Sequence, residues 1–95
     1  MINITEIRVN PIDSRTGKLR GFADIVIDGC FKVKGLAIVE GDDGCHFISM
    51  PKREKRDGSR IDVAHPIDEV TRIELENQIL DAYETELNRR AGNPV

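Results

Sequence analysis

The apolar positions of this chain change period about two-thirds of the way along. Up to Met50 they alternate as in β-strands; beyond Asp68 they recur at helical spacing. Ile4, Thr5, Ile7 and Val9 read as a first strand, with a phase change near Thr5 that fits a bulge. Asn10-Pro11-Ile12-Asp13-Ser14 and Thr16-Gly17 form a turn-rich loop. Residues 18–28 form a second strand. Leu19, Gly21, Ala23, Ile25 and Ile27 share one face; Arg20, Phe22, Asp24, Val26 and Asp28 share the other. Asp28-Gly29 is a tight hairpin signal.

The third strand runs from Phe31 to Val39 with strict alternation. It places Phe31, Val33, Gly35, Ala37 and Val39 on one face and Lys32, Lys34, Leu36 and Ile38 on the other. The turn Glu40-Gly41-Asp42-Asp43-Gly44 leads to a fourth strand, Cys45 to Met50, which Pro51 ends. In this register Cys45 lies opposite Glu40. Residues 52–60 read as an exposed loop around Asp57-Gly58, followed by a short extended piece at Ile61, Val63 and Ala64. His65 precedes Pro66, which disfavours helix there. A long helix begins at Asp68 as N-cap, with Thr71 and Glu74 as an alternative capping box. Val70, Ile73, Leu80 and Leu87 form its apolar stripe, widened by Leu75, Ile79, Ala82 and Tyr83. Arg89 and Arg90 suit its negative end, and Gly92 and Pro94 mark its stop.

Strands followed by a helix make an α+β fold: an antiparallel meander of about four strands with one long C-terminal helix. At 95 residues the chain, 1–95, is a single domain. One helix covers one sheet face, yet the alternation puts Phe22, Val26, Leu36 and Ile38 on one face and Ile25, Ile27, Phe31 and Val33 on the other. Large exposed apolar patches are rare on soluble monomers, so a homodimer is expected, joined through the sheet or an edge strand.

Composition narrows the class. Apolar residues are 39% and charged residues 33% of the chain, which suits a soluble globular domain. No apolar run approaches the roughly 20 residues of a membrane span, and the N-terminus lacks a signal-peptide pattern; a cytoplasmic protein is expected. Cys30 and Cys45 are read as reduced thiols that the hairpin register keeps apart. Neither has an orienting third group for catalysis, and Cys45 and His46, being adjacent on a strand, point to opposite faces. Two cysteines and two histidines lack the spacing of a zinc site, and no phosphate-cradling glycine motif is present. No cofactor or metal is expected. His65 reads as a rigid corner whose imidazole caps or packs, and Tyr83 as core with its hydroxyl at the rim.

Charge supplies the one local signal. The net charge of −3 divides into −1 over residues 1–50, +3 over 51–60 and −5 over 61–95. Lys52, Arg53, Lys55, Arg56 and Arg60 are therefore the candidate phosphate contacts, with Arg72 near the helix start as a further one. The acidic helix makes a poor reader of phosphates. No aromatic is interleaved with the loop's charges, so the loop gives little support for stacking on single-stranded bases.

At Gly41-Asp42-Asp43-Gly44, Phe47-Ile48-Ser49-Met50-Pro51 and Asp62-Val63-Ala64-His65-Pro66-Ile67, the chain resembles the SpoVG (stage V sporulation protein G, septation protein) family. Ile4-Thr5-Glu6-Ile7-Arg8-Val9 and Thr71-Arg72 fit as well, and the resemblance spans nearly the whole chain. It implies a small bacterial cytoplasmic protein, usually dimeric, tied to septation and sporulation, some members binding DNA or RNA as regulators. The basic residues after the Met-Pro pair are those the resemblance implicates, here Lys52-Arg53-Glu54-Lys55-Arg56. Glu54 departs from that pattern, standing where the family often has a basic residue. The expectation is thus a dimeric, non-enzymatic nucleic-acid-binding regulator linked to cell division. The rival expectation is a module whose basic loop meets an acidic division protein.

Overall fold

The computed structural model describes residues 2–12 and 17–91; the turn at Asp13-Ser14 and Thr16 and the helix stop at Gly92 and Pro94 lie outside the described residues. The element order is β1 (Ile4–Pro11), β2 (Leu19–Ile27), β3 (Phe31–Glu40), β4 (His46–Ser49), β5 (Lys52–Glu54), β6 (Arg60–Asp62) and α1 (Glu69–Arg90). Strands β1 to β4 form an antiparallel meander in sequence order, and β5 with β6 forms a separate two-stranded sheet. The α+β class holds.

The expected bulge near Thr5 is present: the β1–β2 register shifts between Ile4 and Glu6. Thr5 Oγ1 accepts from the Gly29 N–H at 2.9 Å and donates to the Val26 carbonyl at 3.3 Å, tying the bulge to the next turn. That turn carries positive φ at both Asp28 (52°) and Gly29 (65°), which suits the right-handed twist of a two-residue hairpin. Strand β1 runs on to Pro11 rather than turning at Asn10. It can do so because Pro11 faces Gly21; a Cβ there would sit 2.8 Å from the Asn10 carbonyl oxygen.

Strand β3 departs from simple alternation. Its register against β2 slips between Ala23 and Ile25, where Gly35 sits at φ 80° and donates its N–H to Asp24 Oδ1 at 3.3 Å. This bulge resets the phase. Val33 packs on the core before it; Leu36 and Ile38 are buried after it. Leu36 and Ile38 therefore join Ala23 and Ile25 under the helix, correcting their expected place on the opposite face. The correction takes Leu36 and Ile38 off the face expected to call for a dimer, while Phe22 and Phe47 stay exposed on it. Strand β4 is also one residue shorter at each end than expected, and Glu40 pairs with His46 instead of Cys45. The Gly41–Cys45 loop closes first, through Gly41 N–H to the Cys45 carbonyl at 2.7 Å.

Asp68 caps α1: its carboxylate accepts from the Thr71 N–H at 2.7 Å, so the alternative box is not used. The buried side of the helix is Leu75, Ile79 and Tyr83, at spacings of four. Val70, Ile73 and Leu87, expected in the buried stripe, are exposed. The core is Ala23, Ile25, Leu36, Ile38, Ile48, Met50 and these three helix residues. Near its end, the His46 and Tyr83 rings meet at a tilt of 48° with centroids 5.5 Å apart, with Glu40 and Arg20 alongside. Burial raises the Tyr83 phenol above its usual value. Strand β4 lies at the sheet edge, and α1 reaches it there: the Ile48 N–H donates to Glu76 Oε2 at 3.2 Å.

Candidate functional site

The segment expected as an exposed loop is instead a hairpin. Lys52 pairs with Asp62, Arg53 with Ile61 and Glu54 with Arg60. The segment has no apolar alternation to announce a strand, but opposite charges face each other about Asp57, the centre of the turn, at Lys52/Asp62 and Glu54/Arg60. That complementarity is the available signal for the pairing. At the tip, Lys55 N–H donates to the Ser59 carbonyl at 2.7 Å and Gly58 N–H to the Lys55 carbonyl at 3.0 Å. Asp57 Oδ1 accepts from the Ser59 N–H at 2.9 Å and from its hydroxyl at 2.6 Å. The Ser59 hydroxyl, then its N–H, hold the Asp57 carboxyl below its ordinary range. The hairpin's base is anchored by Val63 N–H to the Pro51 carbonyl at 2.9 Å.

All residues from Lys52 to Ile61 are exposed. Strand alternation sorts their charges. One face carries Lys52 and Glu54 with Arg60 and Asp62; the other carries Arg53 beside Ile61. Lys52 Nζ bonds the Asp62 carboxylate, which removes it from the free cations. That bond, followed by the charges of Lys52, His65 and Arg72, holds Asp62 below its ordinary range against the opposing pull of burial. Arg72, half-buried in the first turns of α1, thus lies within electrostatic reach of the hairpin. Among the described residues, Arg53, Lys55, Arg56, Arg60 and Arg72 make no ion pair. Arg53, Lys55 and Arg56 cluster at the strand end and tip. Asp62 is the residue the sequence reading missed: counted in, residues 51–62 carry +2.

His65 Nδ1 donates to the Pro66 carbonyl at 2.9 Å, as a rigid corner requires. Met50, Pro51, Ala64, His65 and Pro66 line one side of an apolar cleft of about 240 Å³ closed by sheet and helix residues. The volume is below the roughly 300 Å³ at which ligand pockets begin. Cys30 and Cys45 are both exposed free thiols. Among the described residues no three of His, Cys, Asp and Glu group as a metal site would need.

The SpoVG family model matches residues 2–85 of the chain. A relative named "Putative septation protein SpoVG" from Anaeromyxobacter dehalogenans is 38% identical over 94 residues, 99% of this chain and 90% of that protein. Proteins of the same name from Lachnospira eligens and Bdellovibrio bacteriovorus are 43% and 36% identical, over 87% and 90% of this chain and 92% and 77% of theirs. No helix among the described residues is long and apolar enough to cross a membrane.

Proposed function

The chain belongs to the SpoVG family, and we propose that it is a non-enzymatic, cytoplasmic regulator of septation and sporulation that binds DNA or RNA through the β5–β6 hairpin. The observation that carries this reading is the exposed group Arg53, Lys55 and Arg56, presented on a closed hairpin and without carboxylate partners among the described residues. Such cations displace condensed counterions from a phosphate backbone, each contact contributing about −0.9 to the slope of log K against log salt on duplex DNA. Arg60 and Arg72 extend the same surface, while Lys52 serves mainly to hold Asp62. The R53A/K55A/R56A variant should flatten the salt slope by roughly 3 units if all three touch phosphate, and K52A by much less. Unchanged binding in the triple variant would remove the hairpin from the interface.

In this reading the particle is a homodimer. Val70, Ile73 and Leu87 are 64%, 50% and 38% exposed along one side of α1, a side a second copy can cover.

The same exposed helix side favours a second reading, a protein-interaction module that holds a division protein and binds no nucleic acid. Pull-down from lysate with and without nuclease separates the two: only the first reading loses its partner on digestion.

A further inference from the structure

The sheet face turned away from α1 carries the chain's second exposed chemical surface. Residues flanking the buried Ala23, Ile38 and Ile48 point there by strand alternation. Cross-strand register sets Asn10, Phe22, Ala37 and Ser49 in one row and Val39 with Phe47 in the next. Phe22 and Phe47 are 41% and 46% exposed. Sheet spacings put them roughly 12 Å apart, with only Ala37 and Val39 in the diagonal between. The result is an open sheet face with an aromatic ring at either side.

Its charges favour a polyanion. Along β3 towards the Phe31 end, the same face carries Lys34, then Lys32 opposite Val26. Against Glu6, paired with Arg8 at 3.2 Å, and Asp24, a charged carboxylate that accepts from the Gly35 N–H, the face sets three cations, Arg8, Lys32 and Lys34. Lys32 and Lys34 have no carboxylate partner among the described residues. Rows i and i+2 on a strand are about 7 Å apart, comparable to the reach of one nucleotide step.

We propose that this open sheet face is a stacking platform for single-stranded nucleic acid, with bases on Phe22 and Phe47 and phosphates on Lys32 and Lys34. The inference rests on the nucleic-acid reading above and adds to it a division of labour. The hairpin supplies salt-dependent attraction without regard to strandedness. The aromatic face selects unpaired bases, whose π-faces are free, over a closed duplex.

The test compares a labelled oligo(dT) with a duplex by fluorescence anisotropy. The F22A/F47A variant should bind oligo(dT) at least about ten-fold more weakly, from the usual contribution of a stacked base, with its duplex affinity and salt slope unchanged. F22Y/F47Y should retain wild-type affinity. Both rings are exposed, so the variants should keep their far-ultraviolet circular dichroism. The chain holds no tryptophan, so Phe22→Trp adds a single clean reporter whose emission oligo(dT) should quench. Wild-type protein that binds neither oligonucleotide overturns the platform together with the proposed function. Wild-type binding with F22A/F47A equally tight and Phe22→Trp unquenched overturns the platform alone. If F22A/F47A turns a dimer into a monomer by light scattering, a second copy covers this face and the platform is also overturned.

Discussion

Single residues decide which of the hairpin's charges are available. Lys52 and Arg53 are neighbours, yet one is held by Asp62 and the other is free of any carboxylate among the described residues. Alternation along a strand makes that difference, and a loop reading could not show it. The same contacts set the response to acid. Asp57, Asp62, Asp68 and Glu86 are all held below their ordinary values: by Ser59, by Lys52, by the Thr71 N–H and side chain, and by Arg90 and Arg89, respectively. The unfolded chain takes up their protons first as pH falls. Their stabilisation is thus fully present above the ordinary carboxylate range, about pH 4, and is lost as pH falls through the lower folded values. Thermal melts should be nearly flat from neutral pH to about 5 as far as these groups decide, and fall below about 4. Asp62→Asn should make that acid decline shallower.

At the scale of elements, the strand order, the hairpin at Asp28-Gly29 and the helix cap at Asp68 were legible from the sequence. Each rests on local chemistry: alternation, a turn that needs positive φ, an oxygen for free N–H groups. The phase reset at Gly35 was not, because a glycine inside an alternating run fits the run as well as it fits a bulge. Gly35→Ala should test it: an alanine at φ 80° is strained by about 1–2 kcal/mol, measurable by urea unfolding. The buried side of α1 was likewise ambiguous, since apolar residues occur on two sides of the helix and only tertiary packing chooses between them. Ile79 is fully buried and Ile73 half exposed. Ile79→Ala should cost about 2–5 kcal/mol and Ile73→Ala well under that, by the same unfolding measurement.

For the molecule as a whole, the basic segment was legible as composition and only its arrangement was hidden. Pairing across Asp57 depends on backbone contacts that carry no apolar pattern. The opposite holds for oligomeric state. The expected dimer drew on a two-faced sheet; the Gly35 bulge takes Leu36 and Ile38 off the outer face but leaves Phe22 and Phe47 exposed there, and α1 adds a second uncovered side. If α1 is the interface, Ile73→Glu should halve the particle mass in light scattering while leaving the circular dichroism intact. A wild-type mass near the 10.7 kDa of one chain would rule the dimer out.

The bond from the Ile48 N–H to Glu76 also bears on behaviour in a crowded cell. Strand β4 is an outer strand with phenylalanine and isoleucine in it, the sort of border onto which foreign strands add. A helix carboxylate occupying its central outward donor works as a gatekeeper against runaway strand recruitment. Glu76→Ala should leave a protein that folds and binds, yet one whose solutions scatter increasing light over days and bind thioflavin, where the wild type stays clear.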